Sequence, residues 1–510
     1  MYKWVFVLVA LAAPAMARSN DPIPAPLDDY AAMTLEELSA ALDSPGSDAD
    51  QCNFLLPIYT QIAQRRPDVT GFTSYAIEAE MRCAYIRRDF ALAHQLLHSS
   101  ELADLAVDPR IVLHIDAMAG TGEQIIAGFR KLVLESDVEL LASTDNQFLF
   151  FVRSQAVEKL GTKAMNQLDA EILASDRFAG FDPALQNAFT VGALRVAESD
   201  GDLVESRRLI GTLERPEYLR LLLVDRSRAL IWPIVGERAG KGFARVFADF
   251  RENALARYGA NPEMTEYLND VAHALYYAGD DERLIDLVDT MILRDDLVDT
   301  AKEDEAWALN LKGYALDRLG RRNEAKVNFE LLGQIARAHP DWGVSFTINH
   351  ALWLSAKELW EEAKIAADEA EESARVSGNE YARMLVRSVQ VCVLAELDRA
   401  GDAEHYLETL RNQEFANATG LAEALQCLGR DDEAASVLVE ALRNPDARDT
   451  TILALQPDEY SFFGAKSSRP DLNDLLATHE ELRTTLLKYA RVVPDEYLPQ
   501  QPWAEPGFQN

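Results

Sequence analysis

Residues 305–340 read EAWALNLKGYALDRLGRRNEAKVNFELLGQIARAHP, and this stretch decides the fold. Apolar side chains recur at helical spacing on both sides of Gly320. Gly313 is followed by Gly320 after seven positions, by Ala325 after five more and by Phe329 after a further four. A small residue in each helix lets two backbones cross closely, and the Gly between them ends the first helix in a left-handed conformation. The stretch therefore predicts two antiparallel helices joined by a tight turn, with Phe329 filling the gap to the next pair.

We call this spacing of Gly313, Gly320, Ala325 and Phe329 the frame, with Ala325 as its central residue. The frame recurs along the chain with decreasing fidelity. It is clear around Ala325 and Ala434 and is kept around Leu284. Around Ala363 the frame has Glu358 where Gly is expected. Weaker copies have these central residues: Ala93, Ser206 and Ala403. The steps between successive central positions from 284 to 434 are 41, 38, 40 and 31 residues, so the array is not a strict repeat of one length.

This spacing of a small residue, a turn Gly, an Ala and an aromatic residue resembles the tetratricopeptide repeat (TPR). The resemblance is specific in residues 265–445 and suggestive around 75–100 and 190–216. It implies an all-α fold, a right-handed α-α superhelix of antiparallel helix pairs. The expected segments after the N-terminal region are degenerate helical repeats in 30–264, a TPR-like array in 265–445, C-terminal capping helices in 446–492 and an extended tail in 493–510.

Residues 1–17 have the pattern of a secretory signal peptide. Lys3 precedes an apolar run over 5–13, and an A-x-A cleavage pattern follows at 15–17. The run is shorter than the roughly 20 residues that span a bilayer, so a membrane anchor is the less favoured alternative. Residues 18–29 read as a Pro-rich linker. We therefore expect export to the periplasm of a Gram-negative bacterium, without stable membrane insertion after cleavage.

The chain is strongly acidic. Its 510 residues include 84 Asp and Glu against 50 Lys and Arg, a formal net charge of −34. This excess repels nucleic acid and anionic lipid headgroups, so neither is an expected partner. The simpler interpretation of this negative charge is that it keeps the protein soluble. The alternative is that it attracts a basic partner. The length exceeds the roughly 250–300 residues at which one core stops growing, which indicates several domains or a repeat array.

The four cysteines fall into two separated sets. Cys52 and Cys83 are 31 residues apart, and Cys392 and Cys427 are 35 residues apart. In an oxidising compartment the even count and the clustering favour the disulfides Cys52–Cys83 and Cys392–Cys427. Four buried reduced cysteines are the alternative. None of the spacings is that of a zinc or redox site.

Motifs of catalysis and cofactor binding are absent from the sequence. It contains no G-x-S-x-G, H-E-x-x-H or Walker A pattern and no paired C-x-x-C. Residues 120–122 (GTG) precede a helix but follow no strand, which favours an inter-helix turn over a nucleotide loop. His94 and His98 have the i, i+4 spacing of metal ligands, but only Glu101 stands near them as a third ligand. We therefore predict no catalytic residue, no cofactor and no metal.

The family resemblance implies a partner-binding groove. In such repeats the first helix of each pair lines the concave surface with side chains at fixed distances before the central small residue. Carried onto this chain, the positions are Glu266, Asn269, His273 and Tyr276, then Trp307, Asn310, Tyr314 and Asp317, and then Ser345, Ile348, Leu352 and Ser355 with Asn349 beside them. Asn can bond the backbone of an extended peptide, and Trp and Tyr supply contact area with a polar edge.

Four of the seven tryptophans fall within 54 residues of one another. Trp307 fits the groove and the core equally well. Core packing is the favoured interpretation of Trp342, Trp353 and Trp360, because buried aromatic residues usually just pack.

The leading functional hypothesis is a periplasmic scaffold or adaptor that binds protein or peptide partners, with basic or apolar segments, along a concave helical groove. The alternative is an accessory module of envelope polysaccharide assembly or export that binds glycan or its machinery, which rests on analogy. A third hypothesis is a glycan-cleaving enzyme built as a closed helical toroid with two carboxylates. Repeats of varying length do not easily close into a ring, which the toroid hypothesis requires. We therefore predict that the chain is not an enzyme.

Overall fold

A computed structural model describes residues 33–35, 37–38, 52, 55–102, 107–291, 293–412, 417–462 and 471–499. The predicted signal peptide (1–17) and Pro-rich linker (18–29) lie outside the described residues. The described part of the chain divides into two compact units, one up to Val196 and one from Ala197 onward. We call them the first unit and the second unit.

Helices joined by turns and short 3-10 segments make up the described residues, which contain no β-strand. The prediction of an all-α fold is therefore confirmed. The helices of the first unit are α1 (Leu55–Arg65), α2 (Thr70–Ile86), α3 (Phe90–Leu97), α4 (Pro109–Ala119), α5 (Gly122–Arg130), α6 (Val138–Ala142), α7 (Asn146–Leu160), α8 (Thr162–Leu173) and α9 (Pro183–Ser199), the last of which continues past Val196.

The second unit contains the region that the sequence predicts as the repeat array. No helix in the described residues is both long and apolar enough to span a membrane. The helices of the second unit are α10 (Leu203–Thr212), α11 (Glu217–Val224), α12 (Trp232–Ala239), α13 (Ala244–Ala260), α14 (Thr265–Ala278), α15 (Asp281–Met291), α16 (Leu297–Thr300), α17 (Glu303–Arg318), α18 (Arg322–Ala338), α19 (Val344–Ala356), α20 (Trp360–Val376), α21 (Glu380–Glu396), α22 (Ala400–Arg411), α23 (Ala418–Cys427), α24 (Asp431–Arg443), α25 (Pro445–Ala454), α26 (Leu475–Thr478) and α27 (Glu480–Tyr489).

Seven helix pairs share one turn geometry. Five positions before each central residue of the frame stands a residue with positive φ, namely Arg88, Gly201, Gly279, Gly320, Glu358, Asp398 and Gly429. The next N–H reaches back to the carbonyl five positions earlier, as from Arg321 to Leu316 at 2.8 Å and from Asp89 to Ala84 at 2.9 Å. This is the Schellman pattern that satisfies the last carbonyls of a helix.

The central residue of each of these pairs is fully buried. The seven residues are Ala93, Ser206, Leu284, Ala325, Ala363, Ala403 and Ala434, each with 0% of its surface exposed. At five of these positions the residue is Ala, whose small side chain lets the second helix lie close against the first. The frame read from the sequence therefore marks a recurring structural unit, including its weaker copies around Ala93, Ser206 and Ala403.

The pairs from α14 to α24 stack side by side. Within a pair the two helices pack together, as do α17 with α18 and α19 with α20. Each first helix also packs against the first helix of the next pair, in the order α14, α17, α19, α21 and α23. An amphipathic hairpin cannot bury its apolar face alone, and stacking supplies the missing cover.

The two ends of the second unit are in contact, which an open array would not predict. Helix α11 packs against α25. The Tyr460 hydroxyl donates to the Arg220 carbonyl at 2.8 Å. Arg491 donates through Nε to the Leu223 carbonyl and through its backbone N–H to the Val224 carbonyl, both at 2.9 Å. The drifting repeat lengths therefore do not prevent the ends of the second unit from meeting, and they are no ground against a closed ring.

Residues 493–499, the described part of the predicted extended tail, pack against this junction. Val493 is 3% exposed. A 3-10 turn forms at Asp495–Tyr497. The Tyr497 hydroxyl lies so close to Gly236 that any side chain there would collide with it. Residues 500–510 lie outside the described residues.

Both cysteine sets are paired in the structure. Cys52 bonds to Cys83 and Cys392 bonds to Cys427, with Cα–Cα distances of 5.3 and 5.1 Å, the pairing that the sequence favours. Cys392 lies on α21 and Cys427 ends α23, so the second disulfide ties together the first helices of two successive pairs.

Candidate functional site

The structure places most of the predicted groove residues in the interior. Nine of the thirteen predicted positions are buried. Three are the smaller or aliphatic Ile348, Leu352 and Ser355, and six are larger polar or aromatic residues with exposed fractions from 0 to 7%: His273, Tyr276, Trp307, Asn310, Tyr314 and Asn349. Glu266 and Asn269 are partly exposed, and the side chain of Asp317 is only 5% exposed. A partner would reach the buried side chains only if their helices separated.

The cause is clearest in α17, which is enclosed over most of its length. In α17 all residues from 305 to 316 are buried, including Glu305 and Lys312. Lys312 donates to Asp289 on α15, and Glu305 accepts from Arg294 at 2.8 Å, so both charges are paired. A helix buried all round carries no free face. The predicted groove positions lie on the first helix of each pair, but packing leaves most of them without access to solvent.

Several predicted groove residues instead join one helix pair to the next. The Asn349 amide donates to Asn310 Oδ1 at 3.2 Å across 39 residues of sequence. The Asp317 carboxylate is 2.5 Å from Lys357 Nζ. A buried polar group must find a partner, and these bonds are satisfied only in one stacking register. The polar groove positions therefore fix the alignment of neighbouring pairs.

The tryptophan cluster also belongs largely to the core. Trp307 packs edge-on against Phe346 with ring centroids 4.8 Å apart. Trp353, 1% exposed, stacks on Phe329 at 5.0 Å. Trp342 stacks on the imidazole of His339 at 4.7 Å. Trp360 is half-buried at the start of α20.

A polar rim at the N-terminal ends of α14 and α17 remains accessible and includes two predicted groove positions, Glu266 and Asn269. We define this rim as Glu266, Asn269 and Asp304. The Asn269 amide donates to Asp304 Oδ1 at 3.2 Å, and the Thr265 hydroxyl lies 3.5 Å from Asp304 Oδ2. All three rim residues are partly exposed. The rim therefore carries two carboxylates and an amide, which suits hydrogen-bond donors and positive charge.

Sequence reasoning missed a buried ionic network where the first and last parts of the second unit approach. Arg215 lies 3.2 Å from Asp270 and 3.6 Å from Glu217. The Tyr277 hydroxyl donates to Glu217 at 2.6 Å. Burial raises the pKa of Tyr277 well above its ordinary range, and the charge of Glu217 adds to the effect. Burial lowers the pKa of the neighbouring His273 well below its ordinary value, and the charge of Arg215 adds to it.

This network holds its carboxylates in ion pairs. Asp270 is shared between Arg215 and Arg257, the latter at 3.1 Å, and Arg257 also binds Glu214 at 2.8 Å. Two guanidinium groups hold the Asp270 carboxylate in place. The arrangement therefore suits a structural junction better than general acid catalysis. The signals that could have revealed it are the Arg residues at 215 and 257, which stand in no repeat position.

In the first unit, the structure brings a third side chain to the histidine pair. His94 on α3 and His98 at its C-terminal end have ring centroids 4.6 Å apart. His98 Nε2 is 2.7 Å from Asp116 Oδ1, and His94 Nε2 is 3.6 Å from the same oxygen. Asp116 lies on α4, 18 residues beyond His98. The sequence offered Glu101 as the third ligand, whereas the fold supplies Asp116.

No protein-family model matches this chain, and no curated protein sequence matches it at a significant level.

Proposed function

We propose that the chain is an exported, TPR-like scaffold whose stacked helix pairs form a right-handed superhelix and hold a segment of a partner protein. The observation that carries this proposal is the recurrence of one hairpin, with a left-handed turn residue and a fully buried central residue, in seven helix pairs. Stacked hairpins present a continuous surface, and that surface is what such arrays offer to partners. The proposed role is binding in the periplasm, without catalysis or a cofactor.

The rim is the proposed contact for a basic segment. Glu266 and Asp304 are partly exposed, and the Asn269 amide donates to Asp304. The net charge of −34 favours approach of a cationic partner, and the effect weakens as salt screens it. Trp307 and Tyr314 are buried and are not direct contacts in this proposal.

Binding of peptide libraries to the chain without residues 1–17 tests the proposal. We expect Lys- and Arg-rich peptides to bind, with affinity falling as salt rises, and matched Asp- and Glu-rich peptides not to bind. Glu266→Lys should weaken binding by about tenfold, because it replaces attraction with like-charge repulsion. Glu330→Lys, the same charge reversal at an exposed position of α18, is the control and should leave most of the affinity.

Two results would overturn the proposal. Equal loss in both variants would mean that only the overall charge matters, and absence of any peptide binding would remove the basic partner. Binding to a glycan array in place of peptides would favour the alternative, an accessory role in envelope polysaccharide assembly or export.

A further inference from the structure

We propose that His94, His98 and Asp116 form a binding site for a divalent zinc ion in the first unit. The three candidate ligand atoms, His94 Nε2, His98 Nε2 and Asp116 Oδ1, all lie within 4.8 Å of one another. Two imidazoles and one carboxylate are a ligand set that zinc accepts, with a water in the fourth position. This site is separate from the rim residues Glu266, Asn269 and Asp304, to which partner binding is assigned.

The distances are close to those that zinc requires. A tetrahedral ion with ligands at about 2.0–2.1 Å separates its ligand atoms by about 3.3 Å. His94 Nε2 already stands 3.6 Å from Asp116 Oδ1. His98 Nε2 and Asp116 Oδ1 form a direct hydrogen bond of 2.7 Å, so they must separate by about 0.6 Å to admit the ion. His98 is at the C-terminal end of α3, where a shift of this size needs only a side-chain rotation.

The site is anchored on one side and open on the other. The side chain of Asp116 is 4% exposed, whereas those of His94 and His98 are 25% and 40% exposed. Its helix α4 packs against α3, which holds the carboxylate beneath the imidazoles. A buried carboxylate fixed beneath two half-open histidines gives an ion both a rigid anchor and a path of entry.

Hydrogen bonds around His98 Nε2 conflict in a way that metal binding would relieve. Gln124 Oε1 accepts from the Thr121 backbone N–H at 2.8 Å, which orients the amide. The Gln124 amide nitrogen then faces His98 Nε2 at 3.2 Å, while Asp116 Oδ1 faces the same nitrogen at 2.7 Å. One nitrogen of a neutral imidazole either donates or accepts, so it cannot satisfy both neighbours. With zinc bound, the nitrogen and the carboxylate both face the cation, and the nitrogen no longer has to donate to one neighbour and accept from the other.

The ion would link α3 to α4 by binding side chains from both helices. His94 and His98 belong to the second helix of the pair centred on Ala93, and Asp116 belongs to the first helix of the following segment. An ion that binds only the folded form stabilises it in proportion to the logarithm of the free ion concentration. The first unit should therefore gain thermal stability as zinc is added.

Calorimetric titration of zinc chloride into tag-free, chelator-treated protein tests the site. We expect one ion per chain, and cobalt in place of zinc should give the visible absorption of a tetrahedral centre. His94→Ala and His98→Ala should each lower the affinity by at least about tenfold, because each removes a ligand. Both side chains are partly exposed, so these variants should fold. Asp116→Asn should also lose the ion, and an unchanged circular dichroism spectrum would show that it is folded.

His479→Gln is the matched control. His479 Nε2 lies 3.1 Å from Asp432 Oδ1, a histidine–aspartate pair, and the structure describes no second histidine with it. We expect this variant to bind zinc as the unmodified protein does. Absence of zinc binding by the unmodified protein would overturn the proposal, as would equal binding after both His94 and His98 are replaced.

Discussion

Replacing Gly313 with Ala tests the close helix crossing on which the hairpin depends. A Cβ at this position would lie 2.7 Å from both Cε2 and Cζ of Phe329 and 3.0 Å from Nδ2 of Asn328. Carbon atoms in contact normally stand about 3.5–4.0 Å apart, so the Phe329 ring would have to retreat by about 0.8 Å. The ring has 0% exposure and is stacked on Trp353, and Asn328 is held by its bond to the Leu309 carbonyl at 2.8 Å.

The expected net effect is a loss of about 1–2 kcal/mol in the free energy of unfolding. Overpacking a rigid core costs about 1–3 kcal/mol. Exchanging Gly for Ala inside a helix raises the free energy of unfolding by about 0.5–1 kcal/mol, which offsets part of this loss. Gly333→Ala is the matched control, since that helical Gly is also buried but its added Cβ would meet neighbours at 3.6 and 3.7 Å, an ordinary contact. The control should gain about 0.5–1 kcal/mol.

Urea unfolding followed by tryptophan fluorescence measures both variants, because four of the seven tryptophans lie between residues 307 and 360. The midpoint should fall for Gly313→Ala and rise for Gly333→Ala, with unchanged slopes. Equal or increased stability of Gly313→Ala would refute the reasoning, since it would show that the two helices are not held close together at this point.

The remaining predictions concern a turn, a disulfide and a buried histidine. Glu358→Gly should raise the thermal midpoint by an amount equivalent to about 1 kcal/mol, because Glu358 has φ of 61° and Gly tolerates that conformation; an unchanged midpoint would contradict it. Replacing Cys392 and Cys427 together with Ala should cost about 3–4 kcal/mol, the loop-closure value for 35 residues, and reductant should then have no further effect on the unfolding of the second unit. Burial first, and the charge of Arg337 next, lower the pKa of His350 to about 4. Stability should therefore be full above the unfolded-state pKa of about 6.5 and should fall as the pH drops from there toward 4. In His350→Gln this acid-side slope should flatten in pH-dependent unfolding, whereas the exposed His405→Gln should leave it unchanged.

The hairpin frame could be read from the sequence because it depends on local backbone geometry. The spacing from Gly320 to Ala325 records a left-handed turn and a close crossing, and both recur wherever the spacing does. At position 358 the residue type does not indicate the backbone conformation that the structure shows. The Glu358 side chain is the wrong type for a left-handed turn, yet the packing of α19 on α20 imposes φ of 61° on it.

The candidate sites were less accessible to sequence reasoning because they depend on contacts between distant segments. Periodicity assigns Trp307 and Asn310 to a first helix, but it does not say how many neighbours enclose that helix. Asp116 joins His94 and His98 only after α3 and α4 have packed together. The Arg215 network joins residues from three separate segments, and Arg215 and Arg257 stand in no repeat position.

The junction between the ends of the second unit sets the order in which that unit can be completed. Tyr460 and Arg491 bind carbonyls that precede them by 240 and 268 residues. A chain that emerges N-terminus first, from a ribosome or a translocation pore, exposes α11 long before the segments that cover it have appeared. During that interval its apolar residues are open to chaperones and proteases, and a message truncated before codon 460 would leave them open permanently.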